Sequence, residues 1–180
     1  MRPHHVRDIL LTPRQISQRV EQMVKEIAIG CRSDNLVMIG ILRGSFMFLA
    51  DLVREMNQLN MHPRIDFMTL ESYGAGTESS GTVKITKDIT VQVKEADVLM
   101  VDDILDTGRT LTFARKHLLD QGARSVQSCV LLDKPSRRVV PMQADFTGFT
   151  IEDHFVVGYG LDYDSYYREL PHIARVTFTE

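Results

Sequence analysis

Val98-Leu99-Met100-Val101-Asp102-Asp103-Ile104-Leu105-Asp106-Thr107-Gly108-Arg109-Thr110-Leu111 runs from an apolar strand, through an acidic strand end, into the start of a helix. The apolar run suits a parallel strand buried on both faces. Asp102, Asp103 and Asp106 crowd three carboxylates into five positions. Their mutual repulsion calls for a metal, or a cationic or polyhydroxylated ligand, at that end. Thr107, Gly108 and Thr110 then offer hydroxyls and backbone N–H groups at a helix N-terminus, the chemistry of a phosphate site. One Asp at a strand end would read as a helix cap and no more. The whole string, with strand, turn and helix in place, reads as a ligand site. It is not a Walker loop, because no GxxxxGK[ST] occurs.

Working outward, Thr12-Pro13-Arg14-Gln15 has the form of a capping box with proline in the first turn. Ile16, Val20, Met23, Val24 and Ile27 follow as one apolar helical face, ended by Gly30. Residues 36–41 form a second buried strand, 42–45 a turn and 45–59 a helix. Residues 64–71 read as a strand, 72–81 as a small-residue loop, and 83–85 with 89–93 as a hairpin or short arm. After the quoted string, 109–120 is a helix closed by Gly122, and 126–132 is a third buried strand. Apolar strands alternating with helices predict an α/β fold with a mainly parallel sheet and right-handed crossovers. Ligands of such sheets bind at the carboxyl ends of the strands.

Composition agrees and excludes several classes. The 180 residues are 43% apolar and 25% charged, enough for one domain that folds without disulfides or a structural metal. With 21 basic and 24 acidic residues the net charge is −3, which argues against binding nucleic acid through bulk charge. No run of 18 apolar residues occurs, and the N-terminal stretch lacks a signal-peptide core. Cys31 and Cys129 are far apart, and the six histidines show no metal-ligand spacing. A cytoplasmic protein with reduced thiols and no zinc is expected, without a membrane or nucleic-acid partner.

The quoted string closely resembles the phosphoribosyl-pyrophosphate motif of the type I phosphoribosyltransferases: apolar strand, two acids, two apolar residues, Asp, Thr-Gly, then Thr-Leu. Four further segments narrow the resemblance to the hypoxanthine-guanine branch, closest to its bacterial members. Leu42-Arg43-Gly44-Ser45 is similar to the pyrophosphate loop, and Ser72-Tyr73-Gly74 to the start of the mobile lid. Asp133-Lys134-Pro135-Ser136-Arg137-Arg138 is similar to the base-contacting loop. Asp153-His154-Phe155-Val156-Val157-Gly158-Tyr159-Gly160-Leu161-Asp162-Tyr163, with Arg168 beyond, is similar to the purine hood. The motifs occur in the family's order, from about residue 8 to the end.

The resemblance implies one domain over 1–180, with a core of about 30–140, a hood from about 1–15 and 141–180, and a flexible lid loop. It implies purine salvage: magnesium-dependent transfer of 5-phosphoribosyl from phosphoribosyl pyrophosphate to N9 of hypoxanthine or guanine, releasing pyrophosphate. Asp106 is then the general base at purine N7. Asp102 and Asp103 face the ribose hydroxyls and magnesium, and Asp162 holds a second magnesium. Asp106, Thr107, Gly108, Arg109 and Thr110 cradle the 5′-phosphate. Arg43, Gly44, Ser72, Tyr73 and Arg168 serve phosphoribosyl pyrophosphate and its leaving group. Lys134 donates to the purine O6, Phe155 stacks on the ring, and backbone groups of Val156 and Asp162 read the base edge. Outside this context Lys134 and Arg168 would pass as surface cations, and Phe155 as a core aromatic. Arg43 stands where lysine is common in the family, and relatives hold the bond before it cis. A homo-oligomer, dimer or tetramer, is implied as well. The same scaffold also serves nucleotide-sensing regulators of nucleotide-synthesis genes. Against that alternative, Asp106 is retained, the hood is complete and no helix-turn-helix segment is present.

Overall fold

Side chains of the central strands alternate between two apolar layers, and this alternation sets the architecture. In β2 (Leu36–Leu42), Val37, Ile39 and Ile41 join one buried cluster while Leu36 and Met38 join another. In β5 (Asp97–Leu105), Val98 and Met100 go with the first, Leu99 and Val101 with the second. Successive strand residues point to opposite faces, so both faces of the sheet are covered. Helix α3 (Arg109–Asp120) covers one face through Leu111, Ala114 and Leu118. Helices α1 (Pro13–Gly30) and α2 (Phe46–Gln58) cover the other through residues such as Ile16, Met23, Phe48 and Leu52. The expected capping box is present: Thr12 Oγ1 accepts from the Gln15 N–H, and the Gln15 side chain accepts from the Thr12 N–H. The structure, a computed structural model, describes residues 2–31, 33–73 and 82–179.

The sheet has six strands in the order β4-β3-β2-β5-β6-β7. They include β3 (Arg64–Tyr73), β4 (Thr82–Lys87), β6 (Ser125–Asp133) and β7 (Phe146–Thr150). All neighbours are parallel except β3 and β4. The chain winds outward in both directions from the β2–β5 pair, and a doubly wound sheet opens its ligand crevice at that switch point. Leu42 ends β2, and Asp102 lies in β5 one residue past its last pairing with β2.

A second, three-stranded antiparallel sheet forms the hood. It pairs β1 (His4–Leu11) with β9 (Ile173–Phe178), and β9 with β8 (Val156–Val157).

Three expectations need correction. Residues 146–150 are the outermost strand of the central sheet rather than hood, so the hood's second part begins after Thr150. The hood's first part ends at Thr12, where α1 is capped. Residues 83–85 pair with β3, while 89–93 form no strand. The second of these segments is held instead by the Asp66 carboxylate, which accepts from the N–H groups of Thr90 and Val91. Those bonds, with one from Phe67 N–H, keep Asp66 near a pKa of about 2 despite the opposing effect of burial, the largest single influence. The backbones of Ser72 and Tyr73 pair with Val83 and Thr82. Their side chains, and residues 74–81 of the expected lid, lie outside the described residues.

Candidate active site

A cleft of about 420 Å³ opens at the ends of β2 and β5, lined by Arg43, Gly44 and the continuous run from Asp102 to Leu111. Asp102 is 7% exposed, and its Oδ1 accepts from the N–H of Asp103. Burial pushes the Asp102 carboxyl well above the usual range, and the neighbouring Asp103 adds to the rise. Burial also raises Asp103, opposed by hydrogen bonds to its carboxylate and by the charge of Arg168. Two adjoining carboxylates at the edge of this cleft favour a positive or hydrogen-donating ligand between them.

The turn into α3 follows. Gly108, with φ +84°, is the N-cap of α3, and a side chain there would meet Val140 and Arg138 at 2.9 and 3.2 Å. That left-handed conformation turns the chain into α3, whose first residues line the cleft. Thr107 braces the turn: its carbonyl accepts from the N–H groups of Val139 and Val140, and its hydroxyl from Arg109 N–H. Thr110 lines the same cleft.

Arg43 follows a cis peptide bond from Leu42, and its side chain is exposed. Gly44 packs so closely that a side chain would strike the Asp103 carboxylate. The hood meets this loop at Gly160, φ +101°, where a side chain would strike the Gly44 carbonyl. Gly160→Ala is therefore expected to destabilise by about 1–3 kcal/mol, the usual cost of a strained backbone position. A lowered denaturation midpoint checks this. An unchanged midpoint would mean that hood and loop do not need the close approach.

Arg168 and Asp162 lie on the hood side of the same contact. Arg168 donates to the Gly160 carbonyl at 2.6 Å and pairs with Asp162 at 2.7 Å. The other Asp162 oxygen accepts from Ser165 N–H. The hood residues Phe155, Val156 and Asp162 do not line the 420 Å³ cleft, and neither does Lys134. A chain of charges links Lys134 to it instead. Asp106 Oδ1 accepts from Arg137 Nε at 3.2 Å, and Arg137 lies 3.7 Å from Asp153. Asp153 in turn lies 3.5 Å from Lys134 Nζ, which donates to the His154 carbonyl at 2.6 Å. Lys134 is only 8% exposed, held at the end of β6 with its N–H on the Leu105 carbonyl. Phe155 is 45% exposed, and Val156 is buried in β8.

Two arginines went unassigned in the sequence reading. Arg137 is the ion-pair partner of Asp106. Arg138 donates to the carbonyls of Leu105 and Asp106 and pairs with Asp133, tying the base loop to the end of β5. The pair Arg137-Arg138 inside the base-loop motif was the available signal, but nothing local says which carbonyls lie within reach.

Residues 12–164 match the phosphoribosyl transferase domain family. The chain is 44% identical over 183 residues to the hypoxanthine phosphoribosyltransferase of Haemophilus influenzae, covering 100% of both. It is 43% identical to the hypoxanthine-guanine phosphoribosyltransferase of Aquifex aeolicus, over 93% of both chains. Among solved structures, it is similar to a hypoxanthine-guanine phosphoribosyltransferase of Bacillus anthracis, with a TM-score of 0.90 and 39% identity over 96% of this chain and 100% of that one. A helix-opening turn behind paired acids, a cis loop beside them and a hood that meets this loop at Gly160 agree with these matches: the chain belongs to the phosphoribosyltransferase family, in its hypoxanthine-guanine branch.

Proposed function

We propose that the protein transfers 5-phosphoribosyl from phosphoribosyl pyrophosphate to N9 of hypoxanthine and guanine, releasing pyrophosphate in purine salvage. The observation that carries this reading is the run from Asp102 to Thr110 lining one cleft opposite the Arg43-Gly44 loop. Breaking the C1–pyrophosphate bond builds positive charge on the ribose and negative charge on the leaving group. Catalysis then consists of aligning the partners and stabilising those charges.

The α3 N-terminus, with Thr107, Arg109 and Thr110, holds the 5′-phosphate. Asp102 and Asp103 face the ribose hydroxyls. Arg43, the Gly44 loop and Arg168 hold pyrophosphate, with Ser72 and Tyr73 at the root of the lid. Phe155 stacks on the purine, backbone groups of Val156 and Asp162 read its edge, and Lys134 donates to O6. Asp106 takes the proton from N7.

Magnesium fits the donors present. No three His, Cys, Asp or Glu side chains among the described residues could cage a metal by themselves. An ion at Asp102 and Asp103 must therefore complete its shell with substrate oxygens and water, which is how magnesium binds. When bound, it neutralises charge on the pyrophosphate oxygens. Asp162 would hold a second ion, since a ligand carrying both anion and cation divides the Arg168–Asp162 pair between them.

Conversion of hypoxanthine and phosphoribosyl pyrophosphate to nucleotide is expected to cease in excess chelator and return with magnesium. Nucleotide formation followed by absorbance checks this. Full activity in chelator would defeat the magnesium assignment, and no nucleotide at any magnesium level would defeat the activity itself.

A further inference from the structure

The geometry points to Phe178, on the last strand of the hood, as a positioning residue that holds the purine-stacking ring of Phe155 in place. This rests on the proposed stacking role of Phe155.

Phe155, Tyr163 and Phe178 form a closed triangle of rings. Their centroids are 5.5 Å apart for Phe155–Tyr163, 5.6 Å for Phe155–Phe178 and 5.4 Å for Tyr163–Phe178. The interplanar angles of 82°, 71° and 75° make every pair edge-to-face. Two nearly perpendicular neighbours leave a ring little freedom to tilt. Phe155 is nevertheless 45% exposed, so part of the ring stays open to a ligand. The main chain is held from the same strand, because the Phe155 carbonyl accepts from Val176 N–H at 2.8 Å.

The triangle is itself supported by the first strand. His4 pairs in register with Phe178, and its ring stands edge-on to Tyr163 at 5.0 Å. His4 Nε2 also shares a 2.8 Å hydrogen bond with the Tyr167 hydroxyl, and Tyr163 OH accepts from Arg2 N–H. The first and last strands of the hood thus converge on the ring proposed to stack on the base. A ring already set at the stacking angle loses less freedom when the purine arrives. Phe178 touches no catalytic group, so its effect appears in purine binding alone.

The test compares Phe155→Ala, Phe178→Ala, Phe178→Leu and Phe178→Tyr with the unaltered protein. It reads kcat, KM for hypoxanthine and KM for phosphoribosyl pyrophosphate. Phe178→Ala and Phe178→Leu are expected to raise the hypoxanthine KM by about 2- to 12-fold, the worth of one aromatic pair. The KM for phosphoribosyl pyrophosphate and kcat stay within about twofold, and Phe178→Tyr restores the hypoxanthine KM. Leucine keeps the apolar bulk, so it carries the test if alanine unsettles the strand. An unchanged hypoxanthine KM in the leucine variant, or a parallel rise in both KM values, overturns the positioning role while leaving Phe155 stacking intact. If Phe155→Ala itself leaves the hypoxanthine KM unchanged, the stacking role fails and the inference falls with it.

Discussion

Asp106→Asn is expected to lower kcat by roughly 10²–10⁴, the usual contribution of general acid–base catalysis, while phosphoribosyl pyrophosphate still binds. The amide keeps the shape of the side chain and cannot take the N7 proton. The turn into α3 stays in place, because it is braced by Thr107, Arg138 and the α3 N-terminus rather than by the Asp106 carboxylate. The carboxylate is 39% exposed and its contact with Arg137 is at Oδ1, so both solvent and cation compete with the substrate for it. Steady-state turnover at saturating substrates measures the effect. Near-normal turnover would remove Asp106 from the role of base.

Lys134→Ala is expected to lower kcat/KM for hypoxanthine by roughly 10- to 100-fold, the worth of a charge-assisted hydrogen bond. An ammonium has three donors and no acceptor. The His154 carbonyl takes one at 2.6 Å, which fixes the lysine and leaves donors for the base. A purine with a carbonyl at the six-position accepts from it. The amino group of adenine cannot, so the substitution also narrows the gap between hypoxanthine and adenine. Competition kinetics with both bases measures this. An unchanged ratio would mean that another group reads the six-position.

Much of this was legible in the sequence because it is local. The unbroken apolar run Val98-Leu99-Met100-Val101 encodes a strand buried on two faces, and Thr12 with Gln15 encodes the start of α1. The acids and the turn at Thr107-Gly108 are contiguous, so their meeting in one cleft needs no tertiary information. What escaped depends on distant partners. His4-His5-Val6 reads as a polar lead and becomes a strand only through β9, about 170 residues away. Phe146-Thr147-Gly148-Phe149-Thr150 carries two apolar residues, too few to announce a sheet strand; β6 alongside makes it one. The Arg137–Asp106 pair joins residues 31 apart and depends on how the base loop folds back over β5.

The most direct measurement follows nucleotide formation by absorbance with phosphoribosyl pyrophosphate, magnesium and each of hypoxanthine, guanine, xanthine and adenine. Hypoxanthine leaves the two-position bare, and guanine places an amino donor there for backbone carbonyls near Val156 and Asp162. Xanthine sets a carbonyl against those acceptors, and adenine sets a donor against Lys134. The account predicts hypoxanthine best or equal best, guanine a substrate, xanthine poor and adenine inert. Efficient conversion of adenine, or xanthine outrunning hypoxanthine, would contradict it.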